Sequence, residues 1–528
     1  ILAGGQGGGT IASTDVKNAA TITTSNGDGI RADSTFFTTV VNKATINAGG
    51  DTFNGDGIDA SSSNIFGAYV AVDGTGDINI TGGSGDGIVA TNVQGNVLVG
   101  IIAGPYTGKI DPNGGLGNGI KAYITNTANS GSIQVDQGGE ISGDANNGIY
   151  AKTEGTGAVI VNAKADIGVS GNNVTTDGVF MQISNTTNTN SITFAGDYDI
   201  YAADDGIEIN TNGAAGNVQV NWSTTLGAAM VAGDIGIDAN ILNKANGGVV
   251  DVVVGSGAPV TIDAGREGIH AETIGTGSVT VTLRADVTID PDDYGIYAKA
   301  PANVVKVTTG LGDSISVDDN EIAGNDANNV GIYANSGSTA AYDRAAWVAL
   351  ATDTTIKITD TSDGQADGGA GIYAINSGGA GSKGGVYVDG SASGNIKVSV
   401  DGDAAAGIYA SAANGLPSSI GGTGAGAGDV FVGLGIGGSI SVIGVDGADA
   451  TSNFTQSFGA GAFSAGGDIE VTWSDGGLKP DRKLAHMPPE LELPNSGSLL
   501  IGEEGNMVLA HVGGPRMYPL EKYKDFKY

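Results

Sequence analysis

The sequence predicts an all-β fold: a right-handed parallel β-helix (β-solenoid) of about 15 coils of about 30 residues, with a short non-repeat C-terminal tail. Three observations predict it. A six-residue phrase recurs along most of the chain, alternating apolar–polar runs separate its copies, and no segment before residue 480 carries a capped helical period.

The phrase reads GDGIRA at 27–32, GDGIDA at 55–60, GDGIVA at 85–90 and GNGIKA at 117–122, and it continues to AGIYAS at 406–411. Its central aliphatic residue falls at 30, 58, 88, 120, 149, 179, 207, 237, 269, 296, 332, 372 and 408, thirteen copies in all. The steps are 27 to 32 residues as far as Ile296, then 36, 40 and 36, and GAGAFSA at 459–465 is a weaker echo. A repeat of this length is one supersecondary unit that buries its apolar face only by stacking on its neighbours.

Between copies lie runs such as SIQV at 132–135, VTVTL at 279–283 and NIKVSV at 395–400. Alternation of this kind is the pattern of a half-buried strand, and the Gly, Asn, Asp and Ser clusters between the runs supply turns. Each unit is therefore two or three short strands.

Within the phrase, Gly29 is expected at a corner that needs positive φ. Ile30 points inward and stacks on Ile58 about 4.8 Å along the axis, the next residue points outward, and Ala32 points inward again. The inward second position is Ala in most copies, whereas the outward one varies freely: Arg31, Asp59, Val89, Lys121, Tyr150, Glu208, His270, Tyr297.

Composition narrows the class. The 93 glycines have no Gly-X-Y period, which excludes collagen, and 40% apolar residues with strand alternation argue against disorder. Cysteine is absent, so zinc–thiolate sites are excluded. No apolar run reaches a membrane span. The opening residues read as an internal cut, with no signal peptide, and an uncapped first coil there predicts end-to-end self-association. A net charge of −34 disfavours nucleic acid and anionic membrane as partners. At coil spacing the rod is about 70 Å long.

Two stripes are candidate sites. Asp28, Asp56 and Asp86 precede Gly-Ile in the first copies, followed by Asn118, Asn147, Asp177 and Asp205. Asp and Asn suit the turn, and a row of carboxylates also suits a hard divalent cation, calcium above all. The second stripe is the outward row Tyr297, Tyr333, Tyr373 and Tyr409. It serves ring stacking between coils, binding of a partner, or both.

Other motifs carry less. Gly433-x-Gly435-x-x-Gly438 matches a dinucleotide fingerprint but is flanked by strand sequence, where the fingerprint needs a helix N-terminus. Gly82–Gly85 starts a calcium-binding nonapeptide, yet residue 87 is Gly where Asp is required. His270 has no partner His or Cys in its repeat and reads as solvent-facing.

The run GIYAK at 148–152 with GTGAVIV at 155–161, and GIHA at 268–271 with GTGSVTV at 275–281, resembles the passenger repeats of bacterial autotransporters. The resemblance spans roughly residues 10–467 and implies display at a bacterial cell surface, often as an adhesin. The chain changes near residue 468. Half of its twelve prolines lie from 480 onward, and from Lys479 its seven basic and seven acidic residues cancel. The stretches at 471–480, 497–506 and 513–516 resemble the C-terminal strands of glucose–fructose oxidoreductase-like dehydrogenases, without that family's nucleotide-binding half or its activity. Residues 1–467 are thus expected as the solenoid domain and 468–528 as a separate cap or fusion fragment.

The functional expectation is an extracellular, bacterial-surface, non-catalytic β-solenoid that meets surface glycans or proteins. A self-assembling surface-layer or filament subunit and a polysaccharide-active β-helix enzyme are the alternatives, the last requiring carboxylates that converge in a groove. The register makes a prediction of its own. Ile149→Asp places an unpaired charge in the stack and lowers the melting temperature steeply, whereas Tyr150→Asp on the opposite face costs much less. Equal melting of the two variants would refute the inward–outward assignment.

Overall fold

A computed structural model describes residues 1–5, 13–25, 27–49, 55–63, 67–113, 117–224, 227–319, 329–340, 342, 344–360, 369–378, 384–390, 393–401, 406–412, 429–435, 438–443, 458–463, 469–472, 487–488, 491, 497–502, 505–510 and 514–524. Each coil contributes strands to parallel sheets that run the length of a β-helix. The first sheet has 15 strands, from Leu2–Gly5 to Phe458–Phe463, and the second has 15, from Thr14–Asn18 to Ile469–Thr472. The third comes in runs of four and eight strands, joined by the single bridges Ile110 to Ile141, Ile141 to Ile167 and Ile167 to Ile200.

Register is in phase along the first sheet. Ile30 pairs with Ile58, Ile58 with Ile88, Ile88 with Ile120 and Ile120 with Ile149, and the series continues to Ile372 with Ile408. All thirteen phrase aliphatics are fully buried, as are the alanines two residues on, from Ala32 to Ala410. Alternation sends every second side chain into one continuous core that runs from Val16 to Val432.

The structure corrects the copy count at both ends. Leu2 pairs with Arg31 and Ala3 with Ala32, so the first three residues are the end of a further phrase. The echo at 459–465 is also a coil, with Ala460 opposite Ile408 and Ala462 opposite Ala410. The boundary expected at 468 moves outward, because Ile469–Thr472 continues the second sheet by pairing with Val430–Gly433. Beyond it, Gly497–Gly502, Gly505–Ala510 and Arg516–Tyr518 form a three-stranded antiparallel sheet, followed by the short helix Leu520–Tyr523. Val508 and Tyr518 form a small core of their own with Met487 and Leu491.

The phrase glycine has a different reason from the one expected. Gly29 and its equivalents are not among the described positive-φ glycines; in the first coil that conformation falls on Gly27, at φ 99°. What Gly29 supplies is space. A β-carbon there would collide with Ile46 Cγ2 of the same coil and lie 2.8 Å from the carbonyl oxygen of Gly57 in the next. Ile78, Ile110, Ile141 and Ile167 fill the same notch against Gly57, Gly87, Gly119 and Gly148. A third-sheet side chain thus seals the coil against its own phrase glycine, an isoleucine in most coils, Met230 against Gly206 and Val398 against Gly371.

Gly148→Ala tests this notch. Its new methyl meets both Ile167 and the carbonyl oxygen of Gly178, which would lie 2.6 Å away. Overpacking of this kind costs about 1–3 kcal/mol. Adding Ile167→Ala should recover only part of the loss, because the backbone oxygen stays in place. A denaturation midpoint for Gly148→Ala equal to that of the parent would exclude the notch.

Candidate functional site

Two outward rows on the first sheet hold the candidate residues. The first row occupies the position after the phrase aliphatic. It runs Arg31, Asp59, Val89, Lys121, Tyr150, Phe180, Glu208, Asp238, His270, Tyr297, Tyr333, Tyr373, Tyr409. Each member stands one strand spacing from the next, so neighbours must be chemically compatible. Arg31 accordingly pairs with Asp59 at 3.7 Å, and Tyr150 stacks on Phe180 with centroids 5.0 Å apart.

The structure brings all four predicted tyrosines into one stack. Centroid separations are 4.8 Å for Tyr297–Tyr333, 5.6 Å for Tyr333–Tyr373 and 4.8 Å for Tyr373–Tyr409, with interplanar angles of 9°, 9° and 20°. Tyr294 packs edge-on against Tyr297 and Tyr333. Val330, Ala370 and Ala406 complete a small apolar cluster with the stack. Tyr297, Tyr333 and Tyr373 are half-buried, but Tyr409 is only 2% exposed and anchors the stack. Burial pushes the Tyr297 phenol up to about 12, so the row stays protonated at neutral pH.

His270 extends this row, and its placement corrects the solvent-facing reading. Its ring stacks on Tyr297 at 4.6 Å and 14°, its Nδ1 lies 2.6 Å from Glu267, and its Nε2 lies 3.6 Å from Glu272. Burial opposes its charge, yet hydrogen bonds to Glu267 and Glu272 hold its pKa up to about 10. The stack therefore begins on an imidazolium, which favours a ring face beside it. The signal was present in the sequence: His270 occupies the register of Tyr297 one coil earlier.

The second row is the corner stripe. Asp28 accepts a hydrogen bond from the Asp56 amide at 3.0 Å, Asp56 from Asp86 at 2.8 Å, and Asp86 from Asn118 at 2.6 Å. Asn118 and Asn147 continue the pattern, and Asp205 accepts from the Ile235 amide at 2.9 Å. The stripe is thus a ladder of side-chain oxygens that satisfy the next coil's backbone. Lys121 adds an ion pair to Asp86 at 3.4 Å. A cation would find more oxygens further along. Among the described residues, those of Asp177, Asp205 and Glu208, and of Asp204, Asp205 and Asp234, lie within 4.8 Å of one another.

Burial raises the carboxyl pKa of Asp56 to about 7, of Asp177 to about 6, of Asp205 to about 8 and of Glu208 to about 7. Neighbouring acids add to the rise: Asp86 and Asp28 act on Asp56, and Asp177 and Asp238 act on Glu208. The sequence located Asp205 in the stripe, but its convergence with Glu208 and Asp234 depends on how successive coils superpose.

A further row escaped sequence reasoning. On the second sheet Trp347, Tyr387 and Phe431 occupy one register position after Lys306. Lys306 Nζ and Arg344 Cζ each lie 4.3 Å from the Trp347 ring centroid, Arg344 lies 5.1 Å from Tyr387, and Tyr387 stacks on Phe431 at 5.7 Å. The expected strand flanks of the Gly433–Gly438 fingerprint are present, as Val430–Leu434 and Ser439–Ile443.

The raised carboxyl pKa values set a pH dependence. The folded state holds these protons more tightly than the unfolded chain, whose carboxyls titrate near 4. Their contribution to stability is therefore full below about pH 4 and is lost as pH rises through about 6 to 8. The melting temperature should fall between about pH 5 and pH 9, and Asp205→Asn, which keeps an oxygen acceptor as Asn118 does, should flatten the fall and stabilise at the alkaline end by about 1 kcal/mol or more. A pH profile unchanged in Asp205→Asn would contradict the assignment. No family model, curated protein or solved structure matches this chain.

Proposed function

We propose that the chain is a non-catalytic structural and adhesive β-solenoid, displayed outside the cell at a bacterial surface, whose lateral face holds surface glycans or proteins. The observation that carries this reading is the ordered stack His270, Tyr297, Tyr333 and Tyr373 on one face of a rigid rod. Rings already fixed by their neighbours lose little conformational freedom on binding. Because each ring face is covered by the next, a partner meets ring edges and phenol hydroxyls, which act as hydrogen-bond donors and acceptors.

A second reading, a polysaccharide-active enzyme, is favoured by the convergence of Asp177, Asp205 and Glu208 with raised pKa values. Against it, Asp177 and Asp205 are 7% and 8% exposed, and Asp205 already holds the Ile235 amide.

The full chain should bind a panel of immobilised neutral and acidic glycans and surface proteins. Tyr333→Phe with Tyr373→Phe, which keeps the stack and removes two hydroxyls, should weaken capture about ten-fold, the loss of one or two hydrogen bonds. Undiminished capture would sink the adhesive assignment for this face. Release of sugar fragments from a polysaccharide, abolished in Glu208→Gln, would decide for the enzyme.

A further inference from the structure

The second-sheet row differs from the tyrosine stack in one respect: it is built around cations. Arg344 is exposed and lies within cation–π distance of both Trp347 and Tyr387, while Lys306 lies over Trp347. In a chain with 57 acidic and 23 basic residues, some cations are paired with a carboxylate and others, such as Lys152 and Arg284, have no ion-pair partner among the described residues. Lys109, Lys121, Lys164, Arg266 and Lys299 are paired. Lys306 and Arg344 have no ion-pair partner among the described residues, although both are held in place by rings.

An independent observation points the same way. The indole Nε1 of Trp347 is buried without a hydrogen-bond partner, and so is the hydroxyl of Thr308, which stands two residues beyond Lys306 on the same strand. An indole N–H can only donate, so it lacks an acceptor that neither protein nor solvent supplies. Asp389 is the acid at the diagonal position one coil on from Trp347 and makes an interaction of its own. The patch therefore gathers an ammonium, a guanidinium, an indole N–H and a hydroxyl, with no ion pair to either cation among the described residues.

We propose that Lys306, Arg344 and Trp347 form a binding site for the carboxylate groups of an acidic polysaccharide. This rests on the adhesive reading and names its partner class for a second face. A guanidinium held by rings presents its N–H fork to a carboxylate at low entropic cost. Arg344 is a long exposed side chain beside the ring whose N–H has no acceptor, so one ligand carboxylate near Arg344 is also near that donor. Coils repeat at about 4.8 Å along the rod, a spacing close to one sugar residue of an extended chain, so successive uronates meet successive cations. The acidity of the remaining surface repels polyanions elsewhere and confines them to this patch.

The test titrates the full chain with oligogalacturonate and with its methyl-esterified, uncharged counterpart, read by calorimetry and by tryptophan emission, with Trp347→Phe identifying the reporting ring. Oligogalacturonate should bind at least about ten-fold more tightly than the ester, more weakly as salt rises, and at least about ten-fold more weakly to Arg344→Gln. Arg344→Lys, which keeps the charge without the fork, should fall between the parent and Arg344→Gln and checks that the loss is not one of folding. Equal binding of the two oligomers, or unchanged binding by Arg344→Gln, overturns the site. Glycan capture that depends on Tyr333 and Tyr373 but not on Arg344 leaves the adhesive reading standing and removes this one. Polyuronate binding lost in Arg344→Gln but indifferent to the tyrosines keeps this site alone.

Discussion

Each coil closes through one contact, the third-sheet aliphatic side chain seated against the glycine that opens the same coil's first strand. Gly29 with Ile46, Gly57 with Ile78 and Gly148 with Ile167 are instances of one joint. Because the glycine has no side chain, the third sheet approaches the corner so closely that a β-carbon would not fit, and the carbonyl of the next coil's glycine lies close by as well. That joint sets the cross-section. With the cross-section constant, the phrase aliphatics superpose coil on coil, and everything on the outside inherits the same spacing.

Constant spacing turns each outward position into a row in which every residue has two fixed neighbours. The row after the phrase aliphatic shows the consequences of different choices. Opposite charges give the Arg31–Asp59 ion pair, and aromatic neighbours give stacks. Glu208 beside Asp238 places two acids in consecutive coils, and together with burial this holds the Glu208 proton to about pH 7. The corner stripe solves a different problem: it gives successive coils a side-chain acceptor for a backbone amide that would otherwise be poorly satisfied.

The rows divide the rod along its length. Acidic corners and convergent carboxylates lie between Asp28 and Asp238, and the two aromatic rows lie between His270 and Phe431. The aromatic half holds ordered ring edges, hydroxyls and, on the second sheet, two cations with no ion-pair partner among the described residues. Both halves are nearly equally acidic in net charge, so the aromatic rows and not charge distinguish them.

The sequence by itself determined the repeat, the inward and outward faces and the tyrosine row, because a strand alternates strictly and a solenoid superposes equivalent positions. Ile30, Ala32 and Tyr297 each lie on the face that their repeat position dictates. The tail was distinguishable by composition, though its boundary was not, since Ile469–Thr472 still pairs with the coil before it. What the tertiary structure alone decided concerns neighbours in space. The phrase glycine answers to a methyl group seventeen or more residues away, as with Gly29 and Ile46, and not to its own φ. His270 owes its charge to Glu267 and Glu272, and Glu208 owes its proton to burial among acids of adjoining coils. Trp347, Tyr387 and Phe431 stand 40 and 44 residues apart, an uneven step that hides their alignment until the intervening loops are subtracted. Periodicity is a property of the chain, whereas desolvation and contact are properties of what the coils bring together.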